Sequence, residues 1–257
     1  MAFEEVDEKL RWTHHHFDML DQMVLRYLDP KNIRFSAKRY DNRKTVAWGH
    51  FEAVTGSLTD ISHVFGDVLQ SANSCLDYLV CELFRFHHPG KPAKPSHRFP
   101  IVRGRGAFNK EIGDNALFGI PFEAVAVIES LQPYDGRTDS VATQLKILRA
   151  LANEHKHRRI HVSVLAASPA PSDEVIPVEK DGELFIMAKD LPRAMHYKAE
   201  IGPFSISENG EVKVDGKFTP VVVLEESDLQ GAIITLAAEG LCQAVNESCR
   251  RLLPFFK

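Results

Sequence analysis

The feature that most limits how this chain can fold is one apolar stripe over residues 58 to 86. Ile61, Val64, Phe65, Val68, Leu69, Ala72, Leu76, Leu79, Val80, Leu83 and Phe84 recur there at helical spacing. A stripe of that breadth is stable only when other helices cover it. Leu10, Phe17, Leu20, Val24 and Leu28 predict one such helix over 6–28. It stops at Asp29-Pro30, because the residue before proline is pushed out of the helical region. Val141, Leu145, Leu148, Leu151 and Ala152 predict another over 139–157. A shorter helix is expected over 121–131, with Pro121 in its first turn and Gln132-Pro133-Tyr134 closing it. The last helix is predicted over 227–253. Ser227 and Gln230 have the capping-box spacing, and Leu229, Ile233, Leu236, Ala237, Leu241, Ala244 and Leu252 form its inner face.

Elsewhere the period changes to two. Ile33 and Phe35, then Val46, Trp48 and His50, flank Asp41-Asn42 and predict a hairpin within 32–54. Alternation returns at Ile160-Val162-Val164, Leu184-Ile186, Phe204-Ile206, Val212-Val214 and Val221-Val223. Asp181-Gly182, Asn209-Gly210 and Asp215-Gly216 are hairpin-type turns between them. Helices come from both ends and the middle, while most strands come late. That interleaving predicts a single α+β domain over 1–257: a helical bundle core with a mostly antiparallel sheet packed on one side. Residues 1–157 are mainly helical, 158–225 mainly strands, and 227–253 close the bundle.

The composition, 44% apolar and 26% charged, is that of a folded chain. A formal net charge of −4 argues against a general nucleic-acid binder but leaves room for a local basic face. No apolar run approaches the roughly 20 residues of a spanning helix, so no membrane partner is expected. The first eleven residues are charged and carry no signal-like apolar stretch, which makes the cytoplasm the expected location. The four cysteines lack zinc-ribbon spacing and read as small buried thiols on helices. Residues 87–106 are broken by His88-Pro89-Gly90, Pro92, Pro95, Pro100, Gly104 and Gly106. Lys91, Lys94, Arg98, Arg103 and Arg105 lie there with no acid between them. This connection is expected to be mobile in part and to offer a basic face to RNA or another phosphate-bearing ligand.

Polar residues gather on two of the helices. Arg149, Asn153 and His157 follow one another at four-residue steps, and Lys156 borders them. The 58–86 helix carries His63, Asp67, Asn73 and Asp77 beside its apolar stripe. If the two helices pack side by side, Asp77 meets His157 or Lys156. One reading is a polar network that pins the helices in register. The other is catalytic: His157 as general acid/base, Asp77 orienting it, and Lys156 or Arg149 neutralising developing negative charge. His155 points roughly 200° around the helix from His157, in line with Val141, Leu148 and Ala152, and reads as a packing residue. A metal reading also exists. Glu154-x-x-His157 has the di-iron Glu/His spacing, with His63 and Asp67 as ligands from the other helix. Its competitor is an ion pair from Glu154 to Arg158, four residues on.

Several segments together carry a resemblance. They are Gly66-Asp67, the run from Ser71 to Leu79 with Asn73 and Asp77, Phe99-Pro100-Ile101, Gln132-Pro133-Tyr134, and Asn153-x-x-Lys156-His157-Arg158. Residues 60–160 thereby resemble an uncharacterised bacterial protein family with the pattern G-D, N-L-R-S-A-L-D-H-L, F-P-I, Q-P-Y and N-x-D-K-H-R. Ser74 departs from it near the pattern's arginine, and His155 replaces the aspartate before Lys-His-Arg. The resemblance implies a shared fold and a polar site at Asp67, Asn73, Asp77, Asn153, Lys156 and His157, and it brings no activity. Arg149 and His155 are similar in spacing to the motif of the HEPN ribonucleases, in which a dimer brings two motifs together. The function expected first is a binding or interaction protein, with a homodimer as candidate assembly and no cofactor. The alternatives are a HEPN-like metal-independent ribonuclease or other hydrolase, and a divalent-metal enzyme.

Overall fold

Helix ends in this chain are set by short polar residues and by glycine or proline. Asp139 caps the fifth helix by accepting the Ala142 N–H at 3.0 Å. Ser57 Oγ does the same for Thr59 N–H at the start of the second, also at 3.0 Å. The computed structural model describes residues 2–39, 47–53, 56–167, 176–178, 182–184, 199–204, 219–225 and 229–257. Its helices are α1 (Ala2–Tyr27), α2 (Leu58–His87), α3 (Arg105–Gly113), α4 (Phe122–Ser130), α5 (Ser140–His157) and α6 (Ile234–Leu252). Its strands are β1 (Ile33–Arg39), β2 (Ala47–Ala53), β3 (Val162–Ala167), β4 (Ile176–Val178), β5 (Gly182–Leu184), β6 (Ala199–Phe204) and β7 (Thr219–Leu224). The chain is α+β with a helical core.

Contacts divide the chain into two compact units. The helical unit comprises Met1–Asp21, Ser62–Ile160 and Thr235–Lys257. Its centre is the α2 stripe: Phe65, Leu69, Leu76, Leu79 and Leu83 are fully buried. Leu145 and Leu148 of α5, Ile128 of α4 and Leu241 of α6 are buried with them. Each such side chain contributes about 1.5–3 kcal/mol by leaving water. Polar contacts fix the helix pairs. Thr13 Oγ1 meets Ser71 Oγ at 3.1 Å between α1 and α2, and His14 Nε2 meets Asn246 Nδ2 at 3.0 Å between α1 and α6. Cys75, Cys242 and Cys249 are buried free thiols. Burial pushes the Cys242 thiol up to about 12. A hydrogen bond with Cys75, together with burial, raises that of Cys249.

The strand unit comprises Gln22–Ile61 and His161–Ile234. The expected early hairpin is present, β1 against β2, with Ile33 opposite Ala53 and Arg39 opposite Ala47. It continues into an antiparallel sheet of order β1-β2-β6-β5-β4. β3 and β7 form a separate antiparallel pair, Val162 opposite Leu224. The turn residues Asp41-Asn42, Asn209-Gly210 and Asp215-Gly216, with Asp181, Ile186, Ile206, Val212-Val214 and Ser227, lie outside the described residues.

Three expectations need correction. The last helix begins at Ile234, not 227. The chain first folds back on β7: Gly231 N–H reaches Leu224 C=O and Leu224 N–H reaches Ala232 C=O, each at 2.9 Å. Gly231, at φ +83°, supplies the left-handed residue that this turn needs. Leu229 and Ile233 are thus not on the helix, and Leu236 is 62% exposed rather than inward. α3 was not anticipated, because Phe108 is its only buried residue and no stripe marks it. Pro121 is the residue before α4, not part of its first turn.

Part of the basic connection after α2 packs against the helical core. His97 is buried, with its ring centroid 4.3 Å from that of Phe84. Its Nδ1 accepts the Lys94 N–H at 2.9 Å, so Nε2 carries the proton and donates to Phe118 C=O at 3.0 Å. Burial holds this imidazole below its ordinary value, with the charges of Lys94 and His88 adding to the effect. A depressed folded-state value means stability is lost as pH falls below about 6.5 through that value. Acid titration of unfolding free energy should show this slope in the wild type, and His97→Gln should flatten it.

Candidate functional site

Asp77 occupies the sixth turn of α2, where the apolar stripe meets the polar side. Its Oδ1 accepts the Phe99 N–H at 2.9 Å. Gln132 Oε1 likewise accepts the Val102 N–H at 3.0 Å. The two side-chain acceptors bracket Phe99-Pro100-Ile101, whose three residues are buried. Gln132 is itself fully buried and donates from Nε2 to Ile128 C=O at 2.9 Å. Next to it, Arg137 Nη1 caps the carbonyls of Glu129, Ser130 and Gln132. Its guanidinium lies 4.8 Å from the Tyr134 ring centre. The F-P-I and Q-P-Y segments are thus one latch, tied to α2 by Asp77.

α5 runs antiparallel to α2, since their contacts fall in reverse order along the chain. Ser62 Oγ donates to Ile160 C=O. His155 covers Gly66: a Cβ at that position would lie 2.1 Å from His155 Cε1. Farther along, Asp77 feels the charges of Arg149, Lys156 and Arg98. Its carboxyl is raised, first by desolvation, while the Phe99 hydrogen bond and these three cations pull the other way.

The helical repeat explains the choice of cations. At about 100° per residue, Lys156 lies about 20° from Arg149, Asn153 about 40° and His157 about 80°. Of the sequence-predicted residues, Arg149 and Lys156 are the cations whose charges reach Asp77. His157 is not among the charged groups bearing on Asp77. His157 and Asn153 are exposed on α5, Asp67 and His63 are exposed on α2, and Asn73 is half-buried. Arg98 joins the site from the connection, a role that no local spacing announces.

Arg149 and Lys156 are exposed and make no ion pair among the described residues. Arg98 pairs with Glu111 at 2.6 Å, and Arg105 with Glu129 at 3.3 Å. The five-cation face read from the sequence is therefore partly neutralised by acids from α3 and α4. Glu154 pairs with Arg158. Among the described residues no three His, Cys, Asp or Glu side chains gather to hold a metal. Glu154, His157, His63 and Asp67 therefore do not converge as ligands. A cavity of about 500 Å³ opens along α1, beside Glu4, Asp7, Arg11, His14, His15 and Asp18, and contains none of the site residues. No described helix is long and apolar enough to cross a membrane. No protein-family model, curated protein or solved structure matches this chain.

Proposed function

We propose that the helical unit is a binding module, and that its anchor is an anionic group, phosphate first, received by Arg149 and Lys156 beside Asp77. The observation that carries this reading is the pair of exposed cations, on one stripe of α5, that make no ion pair among the described residues and whose charges reach only the buried-side carboxyl of Asp77. Asp77 serves the fold by holding Phe99 N–H, and Arg98 is already occupied by Glu111. Arg149 and Lys156 are left for a ligand. Each charge-assisted contact to an anion is worth about 1.5–3 kcal/mol.

Pyrophosphate is a suitable probe. In titration calorimetry at low salt the wild type should bind it. Arg149→Ala/Lys156→Ala should weaken that binding about tenfold or more, with an unchanged circular dichroism spectrum. Equal affinity in the double variant would overturn the reading.

One observation favours a hydrolase as the second reading. Asp77 Oδ2 makes no hydrogen bond among the described residues, and burial raises the carboxyl. Such a group can exchange a proton beside two cations, which is what general acid/base attack on a phosphodiester needs. His157, exposed at the C-terminal end of α5, is the other candidate for that role. Turnover of a phosphodiester separates the two readings: a binding module cleaves nothing, whereas an enzyme relying on Asp77 turns over as wild type and, as Asp77→Asn, binds without turning over.

A further inference from the structure

The described surface holds a second unusual feature close to this site. Phe118 is 53% exposed, and Phe122, at the first turn of α4, is 81% exposed. Bare phenylalanines are costly in water, and among the described residues Phe122 makes no ring or cation contact while Phe118 meets only the Lys94 ammonium. Lys94 Nζ lies 5.0 Å from the Phe118 ring centre, and Lys91 is exposed in the same connection. Neither lysine pairs with Asp114 or Glu123, the exposed acids of this segment. The segment around Phe118 is tied to the connection by three bonds, one of them between His88 Nε2 and Gly119 C=O at 2.9 Å. Arg98 N–H reaches Ala116 C=O at 3.2 Å, and His97 Nε2 reaches Phe118 C=O at 3.0 Å. The next residue, Phe99, bonds Asp77. From Lys94 to Phe99 the main chain spans at most about 17 Å even if extended. The aromatic residues and the cation pair thus belong to one unit, and a short segment leads from Lys94 to Phe99, whose N–H is held by the carboxyl that feels both cations.

We propose that the ligand of this unit is a single-stranded nucleic acid. Its phosphates lie along Lys94, Arg149 and Lys156, and its bases stack on Phe118 and Phe122. The inference rests on the anion-binding reading of the Asp77 site. A free phosphate has no use for exposed rings, and an acidic peptide has no flat face to lay on them. Nucleobases have one whatever their identity, and aromatic platforms beside cations are the usual means of holding unpaired strands.

The test uses the full chain, a fluorescein-labelled oligouridylate of about ten nucleotides, and pyrophosphate as the second probe. The wild type should bind the oligonucleotide with an affinity that falls as salt rises. Phe118→Ala/Phe122→Ala should weaken that binding about tenfold or more while leaving pyrophosphate affinity unchanged. Arg149→Ala/Lys156→Ala should weaken both. Both phenylalanines are exposed, and a circular dichroism melt checks that the variant folds. Unchanged oligonucleotide affinity in the phenylalanine variant overturns the inference. So does a wild type that binds pyrophosphate but not the oligonucleotide, or one that prefers polyglutamate. In those cases the anion site stands. Pyrophosphate binding indifferent to Arg149 and Lys156 would instead remove the anion site itself.

Discussion

Alanine at position 66 is expected to destabilise the helical unit by about 1–3 kcal/mol, the cost of overpacking a closed interface. The added Cβ would fall 2.1 Å from Cε1 and 2.2 Å from Nε2 of His155. The ring must swing away or α5 must shift. Helix propensity works in the opposite direction, since alanine is favoured over glycine by about 1 kcal/mol inside a helix. The sign should therefore reverse once the ring is gone. In a His155→Ala background, Gly66→Ala should stabilise the protein by up to about 1 kcal/mol. Denaturant unfolding of the four proteins measures the coupling, which should reach about 2 kcal/mol. Additive effects would mean that position 66 and the His155 ring do not meet.

Gln132→Ala should cost about 2–4 kcal/mol. Gln132 is fully buried. Its removal strands the Val102 N–H, takes one of the two donors from the Ile128 C=O, which keeps the Leu131 N–H, and leaves a void the size of the side chain. Gln132→Met fills most of the volume without supplying either hydrogen bond. It should recover only a minority of the loss, because the unmet Val102 N–H dominates it. A methionine variant as stable as wild type would show that the latch is held by packing alone.

Much of the helical unit was legible in the sequence because its signal is local. The α2 stripe, the α5 face and the Asp29-Pro30 stop depend on neighbours within one or two turns. α3 escaped because a helix with one buried residue has no periodicity to read. The start of α6 was misplaced because Gly231 and the contact of Val223 with Ile233 fold the preceding residues onto β7. That is a tertiary event which capping-box spacing does not encode. For the site, helical spacing brought Arg149, Lys156 and Asp77 into consideration. The choice between Lys156 and His157 needed the crossing of two helices, and the primary partner of Asp77 is a backbone N–H 22 residues away. Such a partner leaves no mark in side-chain pattern. The acids that occupy Arg98 and Arg105 come from α3 and α4, so the connection looked more basic than it is.

In the proposed division of labour Asp77 serves the fold, and Arg149 and Lys156 serve a ligand. Asp77→Asn sets the two roles apart. The amide oxygen can still accept from Phe99 N–H, so the fold should be retained. Removing a negative charge close to the two cations should tighten pyrophosphate binding by about three- to tenfold at low salt, the size of one charge interaction near a protein surface. Calorimetric titration of Asp77→Asn against wild type reads this sign. Tighter binding is the predicted result, and a folded Asp77→Asn variant whose binding is lost or weakened would contradict the account.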